Sequence, residues 1–201
     1  MFDRKPRTSG AYLLVLATML PGSQIARASQ ADSRMIRAEH AVAGKVRKVD
    51  HAAKTVVLRT ADGGDETVGF SEDTVVHGVT STGSAVDAYA KDVLEGAWAM
   101  VQYTGDGARK TAVAIDSLGG RTVKVAHGSV VRVDQAAEFI VIKTRAGAED
   151  RFELARQVVV DAGRGVERGA PTCRAIEDGA QVAISYSEQA GKKTAVVVNR
   201  I

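Results

Sequence analysis

The stretch Gly44–Thr60, GKVRKVDHAAKTVVLRT, returns 84 residues later as Gly128–Thr144, GSVVRVDQAAEFIVIKT. A chain that carries one unit twice is expected to fold that unit twice. The offset of 84 holds as far as Thr74–His77, which is echoed by Val158–Asp161. Beyond that point it is 83: Gly96 matches Gly179, Tyr103 matches Tyr186 and Ala112 matches Ala195. The missing residue therefore falls between His77 and Val93. Inside a strand such a deletion would turn every later side chain to the opposite face, so this interval reads as connecting structure.

Within each copy the apolar pattern is that of short strands. Val46 and Val49 lie three apart where a regular strand repeats every two, and Val130 and Val133 keep the same spacing. A slip that occurs in both copies predicts a β-bulge or a sharp bend. Asp50-His51-Ala52-Ala53 and Asp134-Gln135-Ala136-Ala137 read as turns. Thr55–Thr60 and Phe139–Thr144 follow as strands rich in β-branched residues. Val68 and Phe70, with Phe152 and Leu154, alternate on the inner face of a third strand. Ala85–Leu94 reads as a short helix capped by Ser84, with Val86, Ala90 and Val93 in its apolar stripe and Gly96 ending it. In the second copy Pro171 opens the corresponding turn, and Cys173 and Ile176 supply the stripe. Two alternating strands close each copy, carrying Ala99, Val101 and Tyr103, then Thr111–Asp116. Their echoes carry Val182, Ile184 and Tyr186, then Thr194–Asn199.

Three strands, a helix and two strands is the order of the OB-fold, a five-stranded Greek-key barrel. The expected architecture is all-β: two tandem five-stranded OB-like small β-barrels, each with one short helix between its third and fourth core strands. Residues 42–119 form the first barrel and 125–201 the second, after a polar lead-in at 32–41. The junction Gly119–Lys124 is too short to let the barrels swing apart, so they are expected to pack together.

The N-terminus predicts export. Arg4, Lys5 and Arg7 precede the apolar run Ala11–Leu20, and Ala26-Arg27-Ala28 supplies a small-residue cleavage site. Residues 1–31 are read as a cleaved signal peptide, because ten apolar residues fall short of the roughly 20 that span a bilayer. No later run is long enough, so no membrane span is expected in the mature chain. Removing Arg4, Lys5, Arg7, Arg27 and Asp3 brings the 27 basic and 24 acidic residues of the whole chain to 23 each. The basic balance of the full sequence therefore belongs to the leader and does not describe a binding surface. Residues 41–120 hold 8 basic and 11 acidic groups, and residues 121–201 hold 13 and 10. Opposite charge on the two halves favours their association, or an anionic partner for the second.

The candidate chemistry is sparse. His40, His51, His77 and His127 stand opposite Lys124, Gln135, Asp161 and Ala43, and none has metal-ligand spacing, so neither a metal nor a cofactor is expected. The single cysteine, Cys173, sits on an apolar stripe and reads as a buried thiol. Gly163–Gly169 is glycine-rich between an expected strand and an expected helix, but its third glycine is one place late for a dinucleotide loop. Nucleic-acid binding by an OB barrel needs stacking aromatics over a basic groove. Aromatics are 4% of this chain, with Phe70, Phe152, Tyr103 and Tyr186 predicted inside, so no nucleic-acid partner is expected. Trp98 and Met100 should point out of the first barrel, towards either the second barrel or an external partner. Arg109, Lys110, Lys192 and Lys193 occupy the hairpin after the fourth strand, a region where OB-folds bind ligands. These six are the candidate binding residues.

The recurring G-x-V-x-x-V-D start (Gly44, Val46, Val49, Asp50; Gly128, Val130, Val133, Asp134) is one of three repeated motifs. The others are the G-x-x-V-x-Y strand (Gly96–Tyr103; Gly179–Tyr186) and the K-T-A-V close (Lys110–Val113; Lys193–Val196). Together they resemble a bacterial family of exported OB-like domains of unknown function. That resemblance implies a fold and an exported location, and supplies no catalytic residues. The expected function is a secreted, non-catalytic binding or structural module of the periplasm or cell envelope, engaging an envelope protein or a small ligand. Two alternatives remain open. One is an envelope hydrolase whose site between the barrels uses His77, Glu72 and Asp73; the other is a binding protein for a small cation or a glycan.

Overall fold

The computed structural model describes residues 37–78, 95–169, 173 and 175–201. The expected signal peptide and the helix at Ala85–Leu94 lie outside the described residues, as does most of the turn opened by Pro171. The described part holds two six-stranded sheets, each rolled into a barrel.

In the first barrel, β1 (His40–Asp50) pairs antiparallel with β2 (Thr55–Thr60), and β2 with β3 (Asp65–Gly69). On its other edge β1 pairs with β5 (Trp98–Thr104), and β5 with β6 (Thr111–Gly119). The cylinder closes where β6 runs parallel to β3 at Gly69 and Thr111, and to the short β4 (Val75–His77). Between these two stretches the Thr74 hydroxyl donates to the Ala112 carbonyl at 2.7 Å, so the closure is not left open. The second barrel repeats the plan with β7 (Val123–Asp134), β8 (Phe139–Thr144), β9 (Glu149–Asp161), β11 (Gln181–Gln189) and β12 (Lys192–Arg200). In each barrel the first strand touches the second and fourth, and the third touches the fifth in parallel. That is the connectivity of an OB-like barrel.

The expected slip in the first strand is a β-bulge. The β1–β2 register shifts between Val46 and Lys48, and the β7–β8 register shifts between Val130 and Arg132. The extra residue lets Val46 and Val49 both face the interior, and sends Val131 to solvent. The bulge is pinned from the turn before β5: Val46 N–H donates to the Ala97 carbonyl and Gly96 N–H to the Val46 carbonyl, both at 2.9 Å. Val130, Ala180 and Gly179 repeat the arrangement at 2.9 and 2.7 Å. Gly96 and Gly179 hold φ of 83° and 85°, the left-handed region that side chains avoid. This accounts for the glycine that opens the G-x-x-V-x-Y motif.

Gly44 and Gly128 have a different reason to be glycine. A Cβ on Gly44 would lie 2.9 Å from the Arg59 carbonyl oxygen, and one on Gly128 would lie 2.5 Å from that of Lys143. The bent first strand crosses its neighbour too closely for any side chain.

Each barrel has its own core. Leu58, Val68, Phe70, Val101 and Ile115 lead the first, and Ile140, Ile142, Phe152, Val160 and Ile184 the second. Cys173 and Ile176 add to the second core. β1 begins at His40, within the expected lead-in. The third strand of the second copy is one unbroken run of 13 residues, β9, where the first copy breaks into β3 and β4. Within the glycine-rich Gly163–Gly169, Gly163 and Gly165 turn β9 back onto a short antiparallel strand, β10 (Val166–Arg168).

The close crossing makes a direct prediction. Gly128→Ala lowers the stability of the chain by about 1–3 kcal/mol, because the added methyl forces the β7–β8 backbones apart. Gly120→Ala, where a Cβ meets open space, stays within about 0.5 kcal/mol of the parent. Urea midpoints of the two variants check this.

Candidate functional site

The junction Gly120–Thr122 leaves no slack between β6 and β7, and the barrels meet along a shared apolar seam. Its cluster joins Ala41, Ala43 and Met100 of the first copy to Val123, Val159, Val196 and Val197 of the second, with Trp98, Leu118 and Val166 packed at its border. Strand β5 is thereby covered on both faces. Ala99 and Val101 enter their own core, while Met100 faces the other barrel and is 3% exposed. Trp98 and Met100 thus contribute to the contact between copies.

Polar groups rim the seam. Arg168, on β10, donates through Nη1 to Asp116 Oδ1 at 3.1 Å and through Nη2 to Asp116 Oδ2. Gln102 Nε2 donates to the same carboxylate at 3.3 Å. Asp116 is 6% exposed, so its charge is neutralised by a two-pronged contact across the interface. Elsewhere His40 Nδ1 lies 3.2 Å from Asp161 Oδ2, Asn199 Nδ2 donates to the Ala41 carbonyl at 3.2 Å, and Val166 N–H donates to the Ala38 carbonyl at 2.9 Å. Asp116 and Asn199 occupy matching places in the last strand of each copy, so both barrels use the same outer face to meet the other.

At one edge the seam opens into a cleft of about 380 Å³. Met100, Leu118, Ala155 and Val196 line it with apolar surface, and His77, Arg121 and Gln157 are polar groups on its wall. Of the three residues considered for a hydrolase, His77 alone lines it. Glu72 is directed to Lys54 at 3.8 Å, and the Asp73 N–H donates to Ser71 Oγ at 3.3 Å. Asp116 also lines the cleft, but both its oxygens are engaged by Arg168.

The lysines of the terminal hairpins form a repeated clasp over the barrel closure. Lys110 binds Glu66 of β3 and lies 5.3 Å from the Tyr103 ring centre. Lys193 binds Asp150 of β9 at 2.7 Å and lies 5.8 Å from Tyr186 and 5.4 Å from Phe152. Hydrogen bonds to these carboxylates hold both ammonium groups above the ordinary lysine range. Lys192 reaches Glu153 at 2.6 Å. Arg109 ends the 3-10 turn Gly107–Arg109 and is exposed. These four residues therefore stand apart from Trp98 and Met100: the former lie at the barrel closures and the latter at the seam.

The histidines are dispersed. His51 packs edge-on to Phe70 with ring centres 6.1 Å apart, and His127 lies 3.4 Å from Asp62 of the other copy. Among the described residues no three His, Cys, Asp or Glu side chains converge on a metal position. Cys173 is fully buried in the second core, and burial pushes its thiol up to about 11. Sequence reasoning missed Arg168. It belongs to the glycine-flanked β10 hairpin, for which the first copy has no similar motif, and that mismatch between copies was the available clue.

No family model matches the chain, and no curated protein matches its sequence. Solved structures of CusF are similar to part of it. A crystal structure of Ag(I)CusF shares 20% identity over 40% of this chain and 99% of its own, with a TM-score of 0.31. CusF-Ag(I) from Escherichia coli shares 19% over 40% and 94%, and apo-CusF from Escherichia coli 19% over 40% and 89%, each with a TM-score of 0.31. At that TM-score, nothing of what those proteins bind transfers to this chain.

Two outcomes follow from this geometry. Arg168→Ala strands a buried carboxylate and destabilises the chain by about 3 kcal/mol, whereas Arg168→Met with Asp116→Leu recovers most of the loss; thermal and urea unfolding measure both. At pH 8 Cys173 reacts with a thiol reagent at a rate limited by unfolding, and promptly once urea is added.

Proposed function

We propose that the protein is an exported, non-catalytic binding module of the periplasm or cell envelope, with its ligand seat in the cleft at the edge of the seam. The observation that carries this reading is that both copies line the cleft and that three of its lining residues differ in character from their counterparts. His77 stands where the second copy has Asp161, Gln157 where the first has Asp73, and Met100 where the second has Ala183. Duplicated barrels need shared residues to fold, as the bulges, the turn aspartates and the lysine clasps illustrate. Residues that depart from the repeat and line one concavity are available for recognition. The volume falls in the range of small-molecule sites.

Several features support the remaining parts of the reading. The basic start, short apolar run and small-residue cleavage pattern of residues 1–31 support export. Among the described residues no helix is long and apolar enough to cross a membrane. The resemblance to exported OB-like domains of unknown function points the same way. For the non-catalytic part, the one carboxylate among the described residues that line the cleft with His77 is Asp116, which Arg168 holds.

A thermal-shift panel of small acids, cations and glycans tests the proposal. Binding to the native state raises the melting temperature by mass action. At least one class is expected to give a saturable shift that disappears in Gln157→Trp, a variant that fills the cleft from an exposed position and leaves the unliganded melting temperature in place. Turnover of an ester, peptide or glycoside that is lost on His77→Ala contradicts the proposal and favours a hydrolase.

A further inference from the structure

We infer that the cleft takes a small organic anion: a carboxylate, or a group of like charge and shape, carried on a short apolar body. This inference deepens the binding reading above and rests on it.

The charge balance of the cleft comes first. Three of its lining residues bear titratable or permanently charged groups: His77, Asp116 and Arg121. Asp116 is already engaged, since Arg168 contacts both its oxygens and Gln102 adds a third contact. The Asp116–Arg168 pair is neutral in sum. Arg121 is then the one permanent charge in the cleft without a counter-charge, and among the described residues it makes no ion pair. Its position is imposed by the junction: Gly119, with φ of 65°, turns the chain at the end of β6, and Arg121 stands two residues before β7 begins. A guanidinium held there presents a planar fork of donors that matches a carboxylate. Gln157 and His77 add side-chain donors nearby. A cation would meet Arg121, and among the described residues of the lining no free acid offsets the repulsion.

The apolar residues of the lining set the rest of the ligand. Met100, Leu118, Ala155 and Val196 offer apolar surface continuous with the seam, and Met100 belongs to the buried seam cluster itself. A short hydrocarbon or ring gains by lying against it. A guanidinium and apolar surface lining one cleft select an amphiphilic anion over an inorganic ion.

The test is an amide NMR titration of the full chain with sodium hexanoate, hexan-1-ol and hexylammonium chloride at matched millimolar concentrations. Hexanoate is expected to shift the amides of Ser117, Leu118, Gly119 and Gln157 saturably. Hexanol is expected to move them weakly and hexylammonium not at all. Arg121→Met should weaken hexanoate binding by about tenfold or more. Arg121→Lys should recover part of the loss, and both variants should keep the dispersed spectrum of the parent, since Arg121 is exposed. If hexanol or hexylammonium shifts these amides as strongly as hexanoate, or if Arg121→Met binds hexanoate like the parent, the anion assignment is overturned while the cleft remains a binding site. Silence of the cleft amides towards all three probes overturns the assignment; the binding reading falls with it only if the thermal-shift panel is silent as well.

Discussion

The two barrels depend on a sheet that is apolar on both faces where they meet. In most small antiparallel barrels one face of each strand is wetted. Here β5 carries Ala99 and Val101 inward and Met100 outward, and all three are buried. The outward face of β1 does the same with Ala41 and Ala43. Each copy has roughly the size at which a single core is barely sufficient, so covering this second face supplies hydrophobic burial that neither copy can obtain alone. The polar rim fixes the angle of contact. Arg168 from one copy meets Asp116 of the other, and the buried carboxylate would be costly without it.

That seam also explains how the copies have diverged. Parts that close a barrel are the same in both: the bulge, the Asp50 and Asp134 carboxylates that accept from Ala53 and Ala137 N–H, and the pairing of Lys110 and Lys193 with acids of the third strand. Parts that meet the other copy differ. The second barrel extends β9 and folds β10 back to bring Arg168 to Asp116, while the first contributes Trp98 and Met100. Divergence at the seam also shapes the cleft beside it, where His77, Met100 and Gln157 differ from Asp161, Ala183 and Asp73 of the other copy.

Much of the fold was legible in the sequence because it rests on local signals. β2 and β8 fall at Thr55–Thr60 and Phe139–Thr144, as the β-branched runs indicated. The three-residue spacing of Val46 and Val49 announced the bulge, since only an extra residue lets both face inward. The seam was foreshadowed by the short junction and by apolar Trp98 and Met100 on an outer face. What sequence could not supply was distance between remote positions. Nothing near Arg168 signals that its partner is Asp116, and the glycines around it suggested a loop before a helix where they form a hairpin. The acids that hold the hairpin lysines, Glu66 and Asp150, lie over forty residues away from them in sequence. The cleft residues Arg121 and Gln157 carry no motif at all; they become a site only when the barrels close against each other.

The central claim is that the two copies form one cooperative structure through the seam. Trp98, the single tryptophan, borders that seam and reports on it, whereas far-UV circular dichroism reports on the strands of both barrels. Equilibrium unfolding in urea followed by both signals is the most direct measurement. Superimposable transitions with one midpoint are expected. A tryptophan transition complete at lower urea than the loss of β-structure would mean that the barrels part before they unfold, and would contradict the account.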